Sequence, residues 1–158
     1  MMSNQEFVYV TIIASSPERV WEAITTAEFT RQYWHATRVH SDWKEGSEIV
    51  FMVDDQEGER VGCEGRLLKV AEPRELSYSW RFPGNPEVAD EAPSRVTFTL
   101  DPVGEYTKLT VVHDQFPEHS KMRDMVTGGW PLVLAGLKTL LETGSAIDFS
   151  SLPEAAGA

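Results

Sequence analysis

The stretch Gly128 to Gly144, GGWPLVLAGLKTLLETG, constrains the fold more than any other part of the sequence. Its large apolar residues are Trp130, Val133, Leu134, Leu137, Leu140 and Leu141. That spacing of three and four puts them on one face of an α-helix. Lys138, Thr139 and Glu142 fall on the opposite face, and Gly144 stands where a left-handed cap ends a helix. Pro131 is tolerated in a first turn but kinks a longer helix, so the start is expected between His119 and Trp130. Almost everything before this helix reads as strand. One long amphipathic helix after a run of antiparallel strands implies a sheet wrapped around the helix, a shape that can leave a cavity between the two.

The strands announce themselves by composition and alternation. Phe7 to Ile13 is rich in β-branched and aromatic residues, with Val8, Val10 and Ile12 on one wholly apolar face. Ser16, Pro17 and Glu18 mark a helix start by cap, first position and dipole. That helix carries Val20, Trp21 and Ile24, and Thr26 can cap a second short helix with Phe29, Tyr33 and Trp34. Strands are then expected at Thr37–Trp43, Ser47–Val53, Glu59–Val70, Glu75–Phe82, Arg95–Asp101 and Lys108–Asp114. Turn residues such as Lys44-Glu45-Gly46, Gln56-Glu57-Gly58, Glu72-Pro73-Arg74 and Pro102-Val103-Gly104 join them. Short joins imply an antiparallel meander. Leu76, Tyr78, Trp80 and Phe82 face one way and Ser77, Ser79 and Arg81 the other, so one side of the sheet is covered. Pro83 to Pro93 is too rich in proline and acid for a strand and reads as a mobile loop or lid.

Charge and cysteine content narrow the partners. The 158 residues carry a formal net charge of -11 and no basic stripe, which argues against nucleic acid and anionic membrane surfaces. The apolar run Trp130 to Leu137 is too short to span a membrane. Cys63 is the lone cysteine, and no signal-like N-terminus is visible, so a cytoplasmic location is expected.

Four segments carry a family resemblance: ASSPERVWEAITTAEFTRQYW from Ala14, CEGRLLKVAEPRELSYSW from Cys63, SRVTFTLDPVGEYTKLTVVHDQF from Ser94, and the Gly128–Gly144 helix. In these, and in element order, the chain resembles the Hsp90 ATPase activator homologue-like (AHSA1-type) domains of the START/Bet v 1-like (SRPBCC) superfamily. The resemblance implies an α+β helix-grip fold. A curved antiparallel sheet of six or seven strands grips the long C-terminal helix, with two short helices after the first strand and an apolar cavity inside. One domain over 5–147 and a loose tail over 148–158 are expected. The resemblance also brings a chaperone partner, a stress-response role and a monomer or homodimer into view. The second, N-terminal domain of the eukaryotic activator has no counterpart among these residues.

The chemistry-bearing residues point to binding before catalysis. His35, His40, His113 and His119 show no zinc-site spacing, and no metal or nucleotide cofactor motif is present. His113 follows Leu109 and Val111 on the expected concave face. There it can orient a ligand or act as acid and base, or it can simply bond a neighbouring carbonyl. Asp54, Asp55 and Glu57 cluster beside Gly58, where acids also serve as turn formers. Cys63 reads as a small buried residue. The expected cavity residues are Trp34, Phe51, Tyr78, Trp80, Phe98, His113, Trp130 and Leu134, none of them catalytic. A small hydrophobic ligand such as a lipid, polyketide or aromatic metabolite is the first functional expectation. A cavity enzyme of cyclase, dehydratase or hydrolase type and a protein-interaction module are the alternatives.

Overall fold

The computed structural model describes residues 6–55 and 58–148. Strand β1 (Phe7–Ile13) is followed by helices α1 (Pro17–Thr25) and α2 (Ala27–Tyr33). Six strands come next: β2 (Arg38–Ser41), β3 (Glu48–Asp55), β4 (Gly58–Ala71), β5 (Glu75–Trp80), β6 (Ser94–Val103) and β7 (Tyr106–Asp114). The long helix α3 (Lys121–Thr143) is last in the order. The strands form one antiparallel sheet in the order β1-β7-β6-β5-β4-β3-β2. β2 to β7 are therefore a meander, and β1 returns to β7 in a register running from Phe7↔His113 to Ile13↔Thr107. This is the expected helix-grip architecture.

The sheet curves because β4 is shared and bent. Its first half pairs with β3 and its second with β5, and the register shifts between Phe51 and Met52 and again between Leu67 and Lys69. Such irregularities bend a strand and sharpen its twist. Gly65 lies in the bend, where a Cβ atom would stand only 1.7 Å from the Ser79 carbonyl oxygen. Only glycine lets the two backbones approach this closely.

Helix α3 fills the concave face with Val126, Trp130, Val133, Leu134, Leu137 and Leu140, all buried. It begins at Lys121, so Pro131 lies in its interior. The early start has an electrostatic cause. Ser120 Oγ accepts from Arg123 N at 3.0 Å. The Glu91 carboxylate in turn accepts from Ser120 Oγ at 2.6 Å, Lys121 N at 2.8 Å and Met122 N at 3.2 Å. A carboxylate at the positive end of a helix satisfies donors that otherwise lack partners. At the other end Gly144 adopts φ 79° and donates to the Leu140 carbonyl at 2.9 Å. Glu91 belongs to the segment expected to be a mobile loop. Its three bonds, and Val88 buried within the core, pin that segment against α3 instead.

The short helices follow their sequence signals with one difference. Ser16 Oγ accepts from Arg19 N at 3.2 Å, and Pro17 opens α1. Thr26 stands at the start of α2, but its side chain makes no capping bond. The wholly apolar row of β1 faces solvent: Val8, Val10 and Ile12 are 49%, 51% and 43% exposed. The free side of this edge strand is guarded near its end. Lys138 Nζ donates to the Ile12 carbonyl at 2.6 Å, and Ala14 N donates to Glu142 Oε2 at 2.8 Å. The hydrogen bond from Lys138, then that from Ala14, holds the Glu142 carboxyl below its ordinary range. No helix among the described residues is long and apolar enough to cross a membrane. The turn at 56–57 and the expected tail beyond Asp148 lie outside the described residues.

Candidate functional site

A cavity of about 270 Å³ lies between the first half of α3 and the ends of β3, β4 and β5. Helix α3 contributes Met122, Met125, Val126, Trp130 and Val133 through its three-and-four repeat. β3 contributes Phe51 and Val53, β4 contributes Cys63, and Trp80 and Phe82 come from the end of β5 and just beyond. Trp34 and Thr37 enter from the corner between α2 and β2, while His35, Asp54 and Arg60 also border the cavity.

The corner is an unusual piece of backbone. Thr37 N donates to the Trp34 carbonyl at 2.8 Å, closing a tight turn. Its two central residues, His35 (φ 49°) and Ala36 (φ 59°), are both left-handed although neither is glycine. That conformation costs roughly 1–2 kcal/mol per residue. The turn brings Trp34 and Thr37 to the same cavity.

The aromatic walls pack mutually. Trp34 lies 5.1 Å from Phe51 and 5.3 Å from Trp130 between ring centroids, and Trp80 lies 5.7 Å from Trp130. Two of the three indole N–H groups are used within the protein. Trp80 Nε1 donates to Met122 Sδ at 3.3 Å, and Trp130 Nε1 donates to His113 Nδ1 at 3.1 Å.

That second bond determines the state of His113. Nδ1 accepts, so the proton resides on Nε2, which donates to Ser94 Oγ at 2.7 Å. Burial lowers the pKa of the ring to about 3, so the imidazole is neutral. His113 is fully enclosed and does not border the cavity. Tyr78, Phe98 and Leu134 also stand behind the cavity, as solid core. Burial pushes the Tyr78 phenol well above its ordinary range, with Tyr33 and Cys63 adding to the effect. Trp34, Phe51, Trp80 and Trp130 are the expected residues that do border it. The reason for the split is geometric. Alternation along a strand assigns a face of the sheet, but not a position along the groove.

Sequence reasoning missed Thr37, Val53, Met122, Met125, Val126 and Val133 as lining residues. Extending the apolar repeat upstream from Trp130 through Val126 and Met122 reveals three of the lining positions on α3. No comparable periodic signal marks the corner. The acidic cluster dissolves into surface pairing: Arg38 Nη2 meets Asp54 Oδ1 at 2.9 Å and also contacts Glu59. The Asp55 side chain and Glu57 lie outside the described residues. Burial pushes the Cys63 thiol far up, away from a reactive thiolate. No group of three or more metal-ligating side chains occurs among the described residues.

The family described as activator of Hsp90 ATPase homolog 1-like protein matches residues 14–142. Curated proteins yield no match. Among solved structures, ChR145 from Cytophaga hutchinsonii is 30% identical, with a TM-score of 0.72 over 91% of this chain and 98% of that one. An HSP90 activator from Plasmodium falciparum, PFC0360w, is 19% identical, with a TM-score of 0.69 over 87% and 96%. An Aha1 dimer from Colwellia psychrerythraea is 19% identical, with a TM-score of 0.68 over 89% and 98%. The last two likenesses concern the fold alone.

Proposed function

This chain belongs to the activator of Hsp90 ATPase homolog 1-like family, and from that premise we propose that it binds a small apolar molecule between the sheet and α3. One observation carries the reading: an aromatic-walled cavity of about 270 Å³ remains open in an otherwise close-packed core. Binding is favoured over catalysis because the buried imidazole of His113 has both nitrogens committed to the protein. A cytoplasmic location and a single domain over 5–147 complete the proposal, since a lone buried cysteine suits a reducing compartment.

The test is a thermal-shift screen of fatty acids, sterols and aromatic metabolites. A ligand at a hundredfold excess over its dissociation constant stabilises the fold by about 2.7 kcal/mol. At least one saturable rise in melting temperature is expected. Met125→Trp, which plugs the cavity, removes the response, whereas the exposed Glu118→Ala keeps it. A protein with no response to any compound refutes the proposal.

A second reading, protein contact, is favoured by the exposed row Val8, Val10 and Ile12 on an edge strand. The solved relatives include a dimer and a chaperone activator. Sedimentation of this chain tests its self-association form: a dimer that Val10→Glu converts to monomer supports it, and a wild-type monomer at all concentrations removes it.

A further inference from the structure

On the premise that the cavity binds a small apolar molecule, a reading on which this inference rests, its walls also define a ligand class. We infer that the cavity selects a one- or two-ring aromatic molecule bearing a carbonyl-type oxygen, which accepts hydrogen bonds from Trp34 Nε1 and Thr37 Oγ1.

Size sets the first limit. A dry cavity of about 150 Å³ holds a single benzene ring. Pockets for drug-sized ligands begin near 300 Å³. At about 270 Å³ this cavity lies between the two, large enough for one or two rings, whereas a sterol or a long acyl chain would have to extend beyond it. The walls set the second. Trp34, Trp80 and Trp130 line it together with Met122 and Met125, and both wall types favour an aromatic guest over an aliphatic one.

Hydrogen bonding sets the third. The Trp80 and Trp130 donors are consumed inside the protein, so that end of the cavity offers them to no ligand. The corner differs. Trp34 and Thr37 are only 8% and 6% exposed, yet neither the indole N–H nor the hydroxyl bonds to any described residue. Among the described residues, Arg38 Nε is the one fully enclosed side-chain donor or acceptor lacking a partner. The Trp34 and Thr37 atoms therefore keep some open surface, and the cavity is the space that both residues border. An indole N–H can only donate, so the matching ligand atom is an acceptor, and the Thr37 hydroxyl supplies a second donor. The turn closed by Thr37 N and the Trp34 carbonyl fixes the backbone from which both side chains project. A neutral carbonyl and a carboxylate share this chemistry, and Arg60 and Asp54 at the border bring opposite charges to it.

Three of the five tryptophans border the cavity, so intrinsic fluorescence reports occupancy. The wild-type chain is titrated with naphthalene, 2-acetylnaphthalene, 2-naphthoate, oleate and cholesterol. At least one of the two oxygen-bearing naphthalenes is expected to bind roughly tenfold more tightly than naphthalene, the worth of one good hydrogen bond. Whichever binds more tightly identifies the neutral or the anionic form. Thr37→Val keeps the shape and removes the hydroxyl; Trp34→Phe keeps an aromatic wall and removes the N–H. Each variant is expected to shrink that preference to about threefold or less; the ratio of oxygen-bearing ligand to naphthalene is taken within each variant, so a change in wall contact common to both ligands cancels. Equal affinity for all three naphthalenes, or a preference unchanged in both variants, overturns this inference and leaves the binding proposal standing. So does binding of oleate or cholesterol without the naphthalenes. If no compound binds, both fall.

Discussion

The imidazole of His113 is walled by Trp80, Phe116 and Trp130. Burial strips its protonated form of water, and no carboxylate bonds to the ring among the described residues, which is why its pKa falls to about 3. An unfolded histidine titrates near 6.5. Between those values the unfolded chain holds more protons, so this contribution to stability is complete above about pH 6.5 and is lost as pH falls toward 3. The limiting slope is about 1.4 kcal/mol per pH unit. Urea unfolding from pH 7.5 to 4.5 should show the decline, and His113→Gln should show a shallower one; equal slopes would remove this account. Ala36 offers a second test at the same scale. Its left-handed backbone suits glycine, so Ala36→Gly is expected to stabilise the fold by about 0.5–1 kcal/mol, read as a higher melting temperature. A fall in melting temperature contradicts the strained turn.

At the level of elements, the loop from Pro83 to Pro93 and the first turn of α3 behave as one unit, because Glu91 joins them. Glu91→Ala is expected to cost about 1–2 kcal/mol, the usual loss of a good helix cap with its charge. Hydrogen exchange should quicken at Lys121–Met122, while Leu134–Leu140 keep their protection. Uniform exchange along α3 in the variant contradicts the coupling. The same contact marks the boundary of what can be read from the sequence. Strands, the caps at Ser16 and Gly144, and the face of α3 rest on local periodicity and turn chemistry, and these stand plainly in the residues. At Ser120 the local cap is backed by a carboxylate 29 positions away, and that contact is not legible. Four cavity walls are legible as aromatics on the right face. The corner at Trp34–Thr37 is not, because two left-handed residues without glycine leave no compositional trace. Alternation gives a face without a depth, which is why it assigns Tyr78, Phe98 and His113, and the helix stripe assigns Leu134, to a cavity they stand behind.

For the molecule as a whole, the two free edges of the sheet are treated differently. β2 is four residues long and carries Arg38 and His40, features that discourage pairing with another chain. β1 is seven residues and uncharged, and among the described residues Lys138 and Glu142 guard it where they reach Ile12 and Ala14. Replacing both with alanine is expected to leave melting within a few degrees of wild type while raising light scattering on prolonged incubation, since exposed pairs contribute little stability. Unchanged scattering shows that the guard is dispensable. The placement of this guard has a consequence for synthesis. β1 leaves the ribosome before the other strands of the sheet, yet its strand partner ends at Asp114 and its guard at Glu142. At about 5–20 residues per second, a sticky uncharged segment waits on the order of 5–20 s for β7. The nascent chain therefore presents an open strand until β7 has been made, and the speed of elongation, rather than any contact in the finished fold, sets how long it is vulnerable.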